Sequence, residues 1–366
     1  MALQNSMSAD HNVRVPASDA RHFGHDAPIL VAMDKFRGTA TAVELCDVVA
    51  VVARGLGFVP DVQPLSDGGE GFRDAFVGDV VKVRVSGPLG EKVTAGVTFV
   101  SRDSRRTAIL ECADAVGRHY LVTPTPEQAL AASSTGVGEL ILAAAEHGAD
   151  AILLGLGGSA TSDGGRGCYE FLRDHGGLPT PVIAATDVVA RFSGARRYAH
   201  QKGVREEDLK IVDAHLASVR ALFLSEQGVD VEALERTGAA GGIAGAIAAL
   251  GGSLVDGLEA VDDAVGLKAR ISRVSLVISG EGRFDEGSLE GKVTGGIATM
   301  IDGRVPLLLV CGSLDEHAAK EFESRYEHVR IVALSERLGM ERATKDVLGA
   351  LREVVTNELA DVEPCH

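Results

Sequence analysis

Cysteine is scarce in this chain of 366 residues, and its placement excludes two common uses of the residue. The five cysteines, Cys46, Cys112, Cys168, Cys311 and Cys365, are an odd number and include no CxxC pair. Disulfide frameworks use even numbers of cysteines, and many zinc sites use closely spaced pairs. The eleven histidines show no HxxxH spacing. We therefore expect free thiols, a reducing compartment such as the cytoplasm, and no structural zinc.

Long apolar runs and an excess of positive charge are also missing. No apolar run approaches the roughly 20 residues that a membrane-spanning helix needs, and residues 1–26 lack the apolar centre of a secretory signal. The formal net charge is −16, whereas nucleic-acid binding relies on clusters of Lys and Arg. We therefore expect neither a membrane nor a nucleic acid as a partner, and we interpret residues 1–26 as a flexible extension.

Apolar segments alternate with helical patterns over most of the chain, which predicts an α/β fold. Strand patterns at 29–33 and from 276 are each followed by a loop and a helical pattern. Short alternating runs between 80 and 112 predict antiparallel strands. We predict a Rossmann-like parallel-sheet domain built from 27–80 and 275–366, with an inserted α/β domain of mixed sheet at 81–274. A ligand cleft is expected between the two domains.

The most unusual segment is GLGGSATSDGG, residues 155–165, which follows the apolar run AILLGL. Its glycines would let backbone N–H groups converge on an anion, although tight packing of a turn is another use for them. The segment matches neither the P-loop pattern nor the dinucleotide fingerprint. We predict phosphate or nucleotide binding by Gly157, Gly158, Ser159, Ala160, Thr161 and Asp163.

Four further turns place charged residues after apolar runs, where ligands bind in open α/β sheets. They are AMDKFRGT (32–39), LSDGGEGF (65–72), AATDV (184–188) and SGEGRFD (279–285). Solvated acidic turns or surface ion pairs are the alternative interpretation. We assign six residues to substrate binding, namely Arg37, Asp67, Gly68, Gly69, Glu70 and Arg283. Lys292, near a predicted helix start, is assigned to the nucleotide because its charge would attract phosphates.

Glycine loops and carboxylates at strand ends are typical of phosphoryl-transfer sites, which need charge neutralisation, usually by Mg²⁺, and an Asp beside the acceptor hydroxyl. Asp187 is our candidate for the catalytic base, because a lone carboxylate in an apolar run can have a tuned pKa. Asp285 is the second candidate. The sequence does not indicate which residues hold the metal.

These motifs, in this order, resemble the bacterial type-1 glycerate kinase family. The matching segments extend from about residue 29 to 335 and include AMDKFRGT, LSDGGEGF, STGVGELI, GLGGSATSDGG, AATDV, QKGV, GAAGGIAGA and ISGEGRFD. The resemblance implies a two-domain kinase that uses ATP and Mg²⁺ to phosphorylate D-glycerate, typically at the 2-hydroxyl. It implies site roles for Asp67, Gly68, Gly69, Glu70, Ser159, Thr161, Asp163, Asp187, Glu281, Arg283 and Asp285.

The chain departs from the family pattern in three places, one of which is SSTGVGE (133–139), where the family usually has Thr-Tyr-Gly-Thr-Gly-Glu. The family's first motif usually reads PDSFKG, and the stretch after AATDV reads VARFSGARRYAHQKG here instead of its usual Asn-Pro-Leu and Gly-Pro-x-Gly-Ala pattern. Arg191, Arg196 and Arg197 in that stretch would suit a more anionic acceptor, unless the stretch is only a surface loop. Two alternatives therefore stay open: a kinase for another small hydroxy acid, and a non-catalytic nucleotide-binding homologue.

Overall fold

The polypeptide folds into an α/β structure with two principal β-sheets, which confirms the predicted fold class. The computed structural model describes residues 27–102, 104–289 and 293–360. The extension predicted for 1–26, Lys292 and Cys365 lie outside the described residues. The four described cysteines, Cys46, Cys112, Cys168 and Cys311, are free and buried, as expected.

A five-stranded parallel sheet takes its strands from both ends of the chain. Its members are β1 (Ile29–Met33), β2 (Pro60–Val62), β9 (Leu276–Gly280), β11 (Leu307–Cys311) and β13 (Val329–Ala333), in the order β13–β11–β9–β1–β2. All five residues of β1 are buried. Burial on both faces explains why this strand is an uninterrupted apolar run in the sequence.

A six-stranded mixed sheet takes its strands from the middle of the chain. It consists of β3 (Asp79–Ser86), β4 (Lys92–Arg102), β5 (Arg105–Glu111), β6 (Ala151–Gly155), β7 (Val182–Ala185) and β8 (Ser253–Val255), in sequence order. The pairs β3–β4 and β4–β5 are antiparallel, as predicted for 80–112, and the remaining pairs are parallel. The short strands β10 (Arg283–Phe284) and β12 (Ser313–Leu314) pair with each other.

Helices connect and cover the sheets. They are α1 (Ala42–Gly55), α2 (Cys112–Val116), α3 (Pro126–Ala131), α4 (Thr135–Glu146), α5 (Arg166–Asp174), α6 (Leu209–Gln227), α7 (Ile243–Ala249), α8 (Gly257–Val265), α9 (Leu267–Ile271), α10 (Glu286–Leu289), α11 (Val293–Ile301), α12 (Glu316–Arg325), α13 (Leu334–Leu338), α14 (Met340–Lys345) and α15 (Val347–Ala360). Helix α1 begins at a capping box between Thr41 and Glu44. Among the described residues, no helix combines the length and apolar character needed to cross a membrane.

The core links the two sheets. One cluster of buried side chains contains Leu30 of the parallel sheet together with Ile109 and Leu153 of the mixed sheet. Helices α1 and α15 pack on the opposite face of the parallel sheet, and α2, α4, α5 and α7 pack on the mixed sheet. The two sheets divide the chain close to the predicted boundaries at 80 and 275. That each sheet with its helices forms a separate domain stays a prediction.

Candidate active site

A cleft with a volume of about 520 Å³ lies where loops from the carboxyl ends of both sheets meet. Asp34 follows β1 and Glu281 follows β9 in the parallel sheet, while Gly157 follows β6 and Asp187 follows β7 in the mixed sheet. Carboxyl ends of parallel strands are the usual ligand sites of α/β sheets. The predicted site residues that line the cleft are Arg37, Asp67, Gly69, Glu70, Gly157, Gly158, Ser159, Asp187, Glu281, Arg283 and Asp285.

Four predicted residues are not among those that line the cleft, namely Gly68, Ala160, Thr161 and Asp163. Asp163 instead fixes the shape of the glycine-rich loop, because its carboxylate accepts hydrogen bonds from the Ser134 hydroxyl (2.7 Å) and from the backbone N–H groups of Ser134, Gly165 and Gly167 (2.8–3.1 Å). The N–H of Ala160 donates to Val116 O at 2.8 Å. These groups therefore have partners within the protein.

Lys35 lies between two carboxylates at the carboxyl end of β1. Its Nζ is 3.6 Å from Asp34 Oδ1 and 3.2 Å from Asp67 Oδ1. Burial, reinforced by Asp67 and Glu281 and opposed by Lys35, raises the pKa of Asp34 to about 7. Burial also acts to raise the pKa of Asp67, but Lys35 and the N–H of Gly69 outweigh it and hold that pKa below its usual value. Asp67 therefore ionises at a lower pH than Asp34.

Glu111, at the end of β5, holds the loop that contains Asp67 and Glu70. Its carboxylate accepts from Gly71 N at 2.8 Å and from Arg73 N at 3.4 Å. Burial raises the pKa of Glu111 to about 7, against the effect of these two hydrogen bonds. Sequence reasoning missed this residue, because it lies 40 positions from Gly71 and carries no motif.

The carboxylates after β9 have different surroundings. Glu281 is buried and accepts from the hydroxyl of Thr294, in α11, at 2.5 Å. Asp285 caps the turn that begins α10, since its carboxylate accepts from Gly287 N at 3.0 Å. Arg283 lies 3.6 Å from Asp285, and its side chain is 70% exposed, so this ion pair contributes little to stability.

Asp187 lines the cleft, but it is exposed, so the prediction that it is buried in an apolar run is wrong. Strand β7 ends at Ala185, and Asp187 lies two residues beyond it in an exposed turn. The turn is held by Thr186, whose carbonyl oxygen accepts from Arg236 at 2.8 Å and whose hydroxyl accepts from Val188 N at 3.1 Å. The argument for a catalytic base at this position therefore rests on its place in the cleft and not on an apolar environment.

The arginines of the divergent stretch lie away from the cleft. Arg191 donates to the carbonyl oxygens of Glu232 (3.1 Å) and Ala233 (3.4 Å). Arg196 pairs with Asp213 at 2.9 Å, and Arg197 is exposed. None of the three arginines is among the residues that line the cleft. The interpretation as a surface loop therefore fits them better than a role in binding an anionic acceptor.

The same stretch nevertheless contributes Tyr198, Gln201 and Lys202 to the cleft wall. Lys202 is 8% exposed, and its Nζ donates to Ser159 Oγ at 3.0 Å and to Thr161 O at 2.5 Å. Sequence reasoning gave Lys202 and its neighbour Arg118 no role. Lysine is normally exposed, so the only pointer to Lys202 was its place in the QKGV segment.

Several known proteins are similar to this chain over most of its length. A sequence model of the glycerate kinase family matches residues 29–173 and 179–361. An uncharacterised protein of Mycobacterium bovis is 38% identical over 315 residues, covering 80% of this chain and 81% of that protein. The glycerate 2-kinase of Escherichia coli is 34% identical over 331 residues, covering 79% and 86%. The glycerate kinase of Bacillus cereus is 32% identical over 351 residues, covering 84% and 91%.

A solved structure has a similar fold. The crystal structure of a protein assigned as glycerate kinase 2 from Salmonella typhimurium LT2 superposes with a TM-score of 0.73 at 29% identity, covering 91% of this chain and 98% of that one. The likeness confirms the fold, and the matches together confirm the prediction of a kinase that phosphorylates glycerate. The chain belongs to the glycerate kinase family.

Proposed function

We propose that this enzyme transfers the terminal phosphoryl group of ATP to the 2-hydroxyl of D-glycerate within the cleft, which gives 2-phosphoglycerate and ADP. One observation carries the location: the glycine-rich loop after β6 and the carboxylates after β7 and β9 line the same cleft. Phosphoryl transfer needs positioning and charge stabilisation rather than covalent chemistry by the protein. We also propose that the enzyme acts in the cytoplasm, consistent with its free thiols.

The nucleotide belongs on the side of the mixed sheet. Gly157 and Gly158 line the cleft, and Ser159 beside them carries a hydroxyl that can donate to a phosphate oxygen. Thr161, Ala160 and Asp163 belong to the same loop, and we expect them to maintain its shape. Lys292, which lies outside the described residues, is assigned to the nucleotide on its sequence position alone.

The acceptor belongs on the side of the parallel sheet. Arg37 lines the cleft there together with Asp67, Gly69, Glu70 and Arg283. An arginine can pair with the carboxylate of glycerate through two parallel hydrogen bonds. Gly68 does not line the cleft, and we expect it to support the acceptor side by holding the loop in place, since its carbonyl oxygen accepts from Gly157 N at 3.0 Å.

Asp187 is the proposed catalytic base, and Asp285 is the second candidate. In the proposed step, the carboxylate of Asp187 accepts the proton of the 2-hydroxyl while that oxygen bonds to the γ-phosphorus and the bond to the ADP oxygen breaks. Its exposed position at the cleft leaves its carboxylate accessible to a bound acceptor.

The cleft residues fit a magnesium ion. Mg²⁺ usually binds through one or two carboxylates plus phosphate oxygens, and Glu281 and Asp285 are carboxylates of the cleft wall that could serve. In the described part of the chain, no group of three or more Asp, Glu, His or Cys side chains could hold a metal by itself. An ion held jointly with the nucleotide agrees with that finding, and it would neutralise charge on the transferred phosphoryl group.

A coupled assay of ADP release tests this function. ATP, Mg²⁺ and a panel of hydroxy acids led by D-glycerate are supplied to the full chain, and ³¹P NMR identifies which hydroxyl is phosphorylated. Turnover with D-glycerate to 2-phosphoglycerate, abolished by EDTA, is the expected result. Turnover only with another hydroxy acid, or only at the 3-hydroxyl, would overturn the proposed reaction. ATP binding without turnover of any acceptor would instead indicate a non-catalytic homologue.

A further inference from the structure

Lys202 is a buried cation without a carboxylate partner. Its ammonium contacts only the hydroxyl of Ser159 and the carbonyl oxygen of Thr161 among the described residues, and both of these acceptors are neutral. Burial of a charge is costly unless an opposite charge lies nearby. Lys35 in the same cleft has two carboxylates beside it. Within the described part of the chain, Lys202 therefore has no ion-pair partner in the cleft wall.

Arg118 is a second such cation. Its backbone N–H donates to Gly158 O at 2.9 Å, which fixes residue 118 against the glycine-rich loop. Its side chain is half-buried and lines the cleft, and it forms no hydrogen bond or ion pair within the described part of the chain. Both cations thus adjoin the glycine-rich loop. Arg118 contacts it at Gly158, and Lys202 contacts it at Ser159.

The backbone at Gly241 packs closely against the carbonyl group that accepts from Lys202. Gly241 lines the cleft, and a Cβ atom there would lie 2.0 Å from Thr161 O and 2.9 Å from Lys202 Nζ. Its φ of +69° is also a conformation that residues with side chains rarely adopt. Glycine at position 241 therefore allows the close packing against Thr161, whose carbonyl oxygen holds the ammonium of Lys202 at the edge of the cleft.

We propose that Lys202 and Arg118 hold the phosphate chain that ATP and ADP share against Gly158 and Ser159. This inference rests on the proposed function. An ammonium has three donors, and Ser159 and Thr161 occupy two of them, so one remains for a phosphate oxygen. The nucleotide is the favoured source of the anion because both cations adjoin the glycine-rich loop, whereas Arg37 lies on the opposite sheet, where the acceptor is placed.

Proton uptake offers a readout that a merely structural lysine would not give. Burial lowers the pKa of Lys202 to about 8; Arg118 also lowers it, and Cys112 and Asp163 oppose the shift. A phosphate beside the ammonium favours its charged form and raises this pKa. ADP binding at pH 8.5 should therefore take up protons, which calorimetry detects as a binding enthalpy that depends on the ionisation enthalpy of the buffer.

The test compares ADP with adenosine, which lacks phosphates, by calorimetry on the full chain. Lys202→Met and Arg118→Gln should each weaken ADP binding by about 10- to 100-fold, the value of a charge-assisted hydrogen bond. Adenosine affinity should not change. Lys202→Met should also abolish the proton uptake. Lys210→Met, which removes an exposed lysine of α6, is the matched control and should leave both affinities unchanged.

Several results would overturn the assignment. Equal ADP affinity in the wild type and in Arg118→Gln or Lys202→Met would do so, as would a parallel loss of adenosine binding. A rise confined to the KM for glycerate would mean that the anion is the acceptor's carboxylate. If the wild type turns over no acceptor but binds ADP in a manner that depends on Lys202, the proposed kinase reaction fails while the phosphate site stands.

Discussion

The backbone N–H of Gly157 donates to the carbonyl oxygen of Gly68 at 3.0 Å, so the loop after β6 of one sheet is bonded to the loop after β2 of the other. The contact is close: a Cβ atom at position 157 would lie 2.2 Å from Gly69 Cα. Glycine at 157 therefore serves tight packing between the loops in addition to any contact with a ligand. The cleft depends on this junction because both loops form its walls.

We expect Gly157→Ala to lower both stability and activity. The added methyl group must displace backbone atoms of Gly69 and Glu70, and such overpacking costs about 1–3 kcal/mol. Urea unfolding should show that loss, and kcat/KM should fall because the two walls separate. Gly55→Ala, at the end of α1 with no atom within 4 Å of the new Cβ, is the control and should be neutral or slightly stabilising. Unchanged unfolding of Gly157→Ala would contradict the packing argument.

The fold could be predicted from the sequence because its strands carry strong local patterns. The run at 29–33 is apolar throughout because β1 is buried on both faces, and the alternation at 80–112 reflects strands that bury one face. Because these strands are recognisable in the sequence, the carboxylates that follow them could be predicted to lie at the carboxyl edge of a sheet. Since the carboxyl ends of neighbouring parallel strands meet at one edge, the residues after β1 and β9 could be expected near each other, and so could those after β6 and β7.

The remainder of the site depends on long-range contacts that no local pattern encodes. The hydrogen-bond partners of the buried Lys202, Ser159 and Thr161, lie 43 and 41 positions away in the sequence. The burial predicted for Asp187 is wrong because β7 stops at Ala185, so Asp187 and the apolar residues Val188 and Val189 lie beyond the end of the strand. Periodicity identifies strands, but it does not show where a strand ends to within two residues.

Asp34 should give the enzyme a pH-dependent stability. Its pKa of about 7 in the folded protein lies above the 3.8 of the unfolded chain, mainly because of burial. The folded state therefore binds more protons between pH 4 and 7, and the free energy of unfolding falls as pH rises through that window. Asp34→Asn removes this contribution. The slope of the free energy of unfolding against pH should therefore become less negative by up to about 1.4 kcal/mol per pH unit.

The measurement is urea unfolding of both proteins at intervals between pH 4.5 and 8. Asp47→Asn, which changes an exposed carboxylate of α1, serves as the comparison for the loss of one negative charge. The difference in unfolding free energy between Asp34→Asn and the wild type should rise with pH and level off above 7. A difference that stays constant across the range would exclude a raised pKa for Asp34.

Asp187→Asn should lower kcat by about 10²- to 10⁴-fold, the usual contribution of a positioned general base. The KM values should change little, because the amide keeps the size and a hydrogen-bonding oxygen of the carboxylate. Asp285→Asn tests the second candidate in the same assay of ADP release. Asp213→Asn removes a carboxylate outside the cleft, paired with Arg196, and should retain full activity. If Asp285→Asn collapses kcat while Asp187→Asn does not, the two assignments must be exchanged.

Arginine substitutions in the cleft and in the divergent surface stretch should have different effects on the KM for glycerate. Arg37 lines the cleft, and removal of a charge-assisted contact with the acceptor carboxylate by Arg37→Ala should raise the KM for glycerate by about 10- to 100-fold. Arg196→Ala breaks an ion pair whose side chains are 45% and 49% exposed, and Arg197→Ala removes an exposed charge. Exposed ion pairs contribute about 0–1 kcal/mol, so these two variants should keep the wild-type KM and fold normally. The opposite pattern would be a raised KM for glycerate in Arg196→Ala or Arg197→Ala and an unchanged KM in Arg37→Ala. That pattern would place the acceptor at the 189–200 surface, because a charge alters acceptor affinity selectively only if the acceptor lies near it.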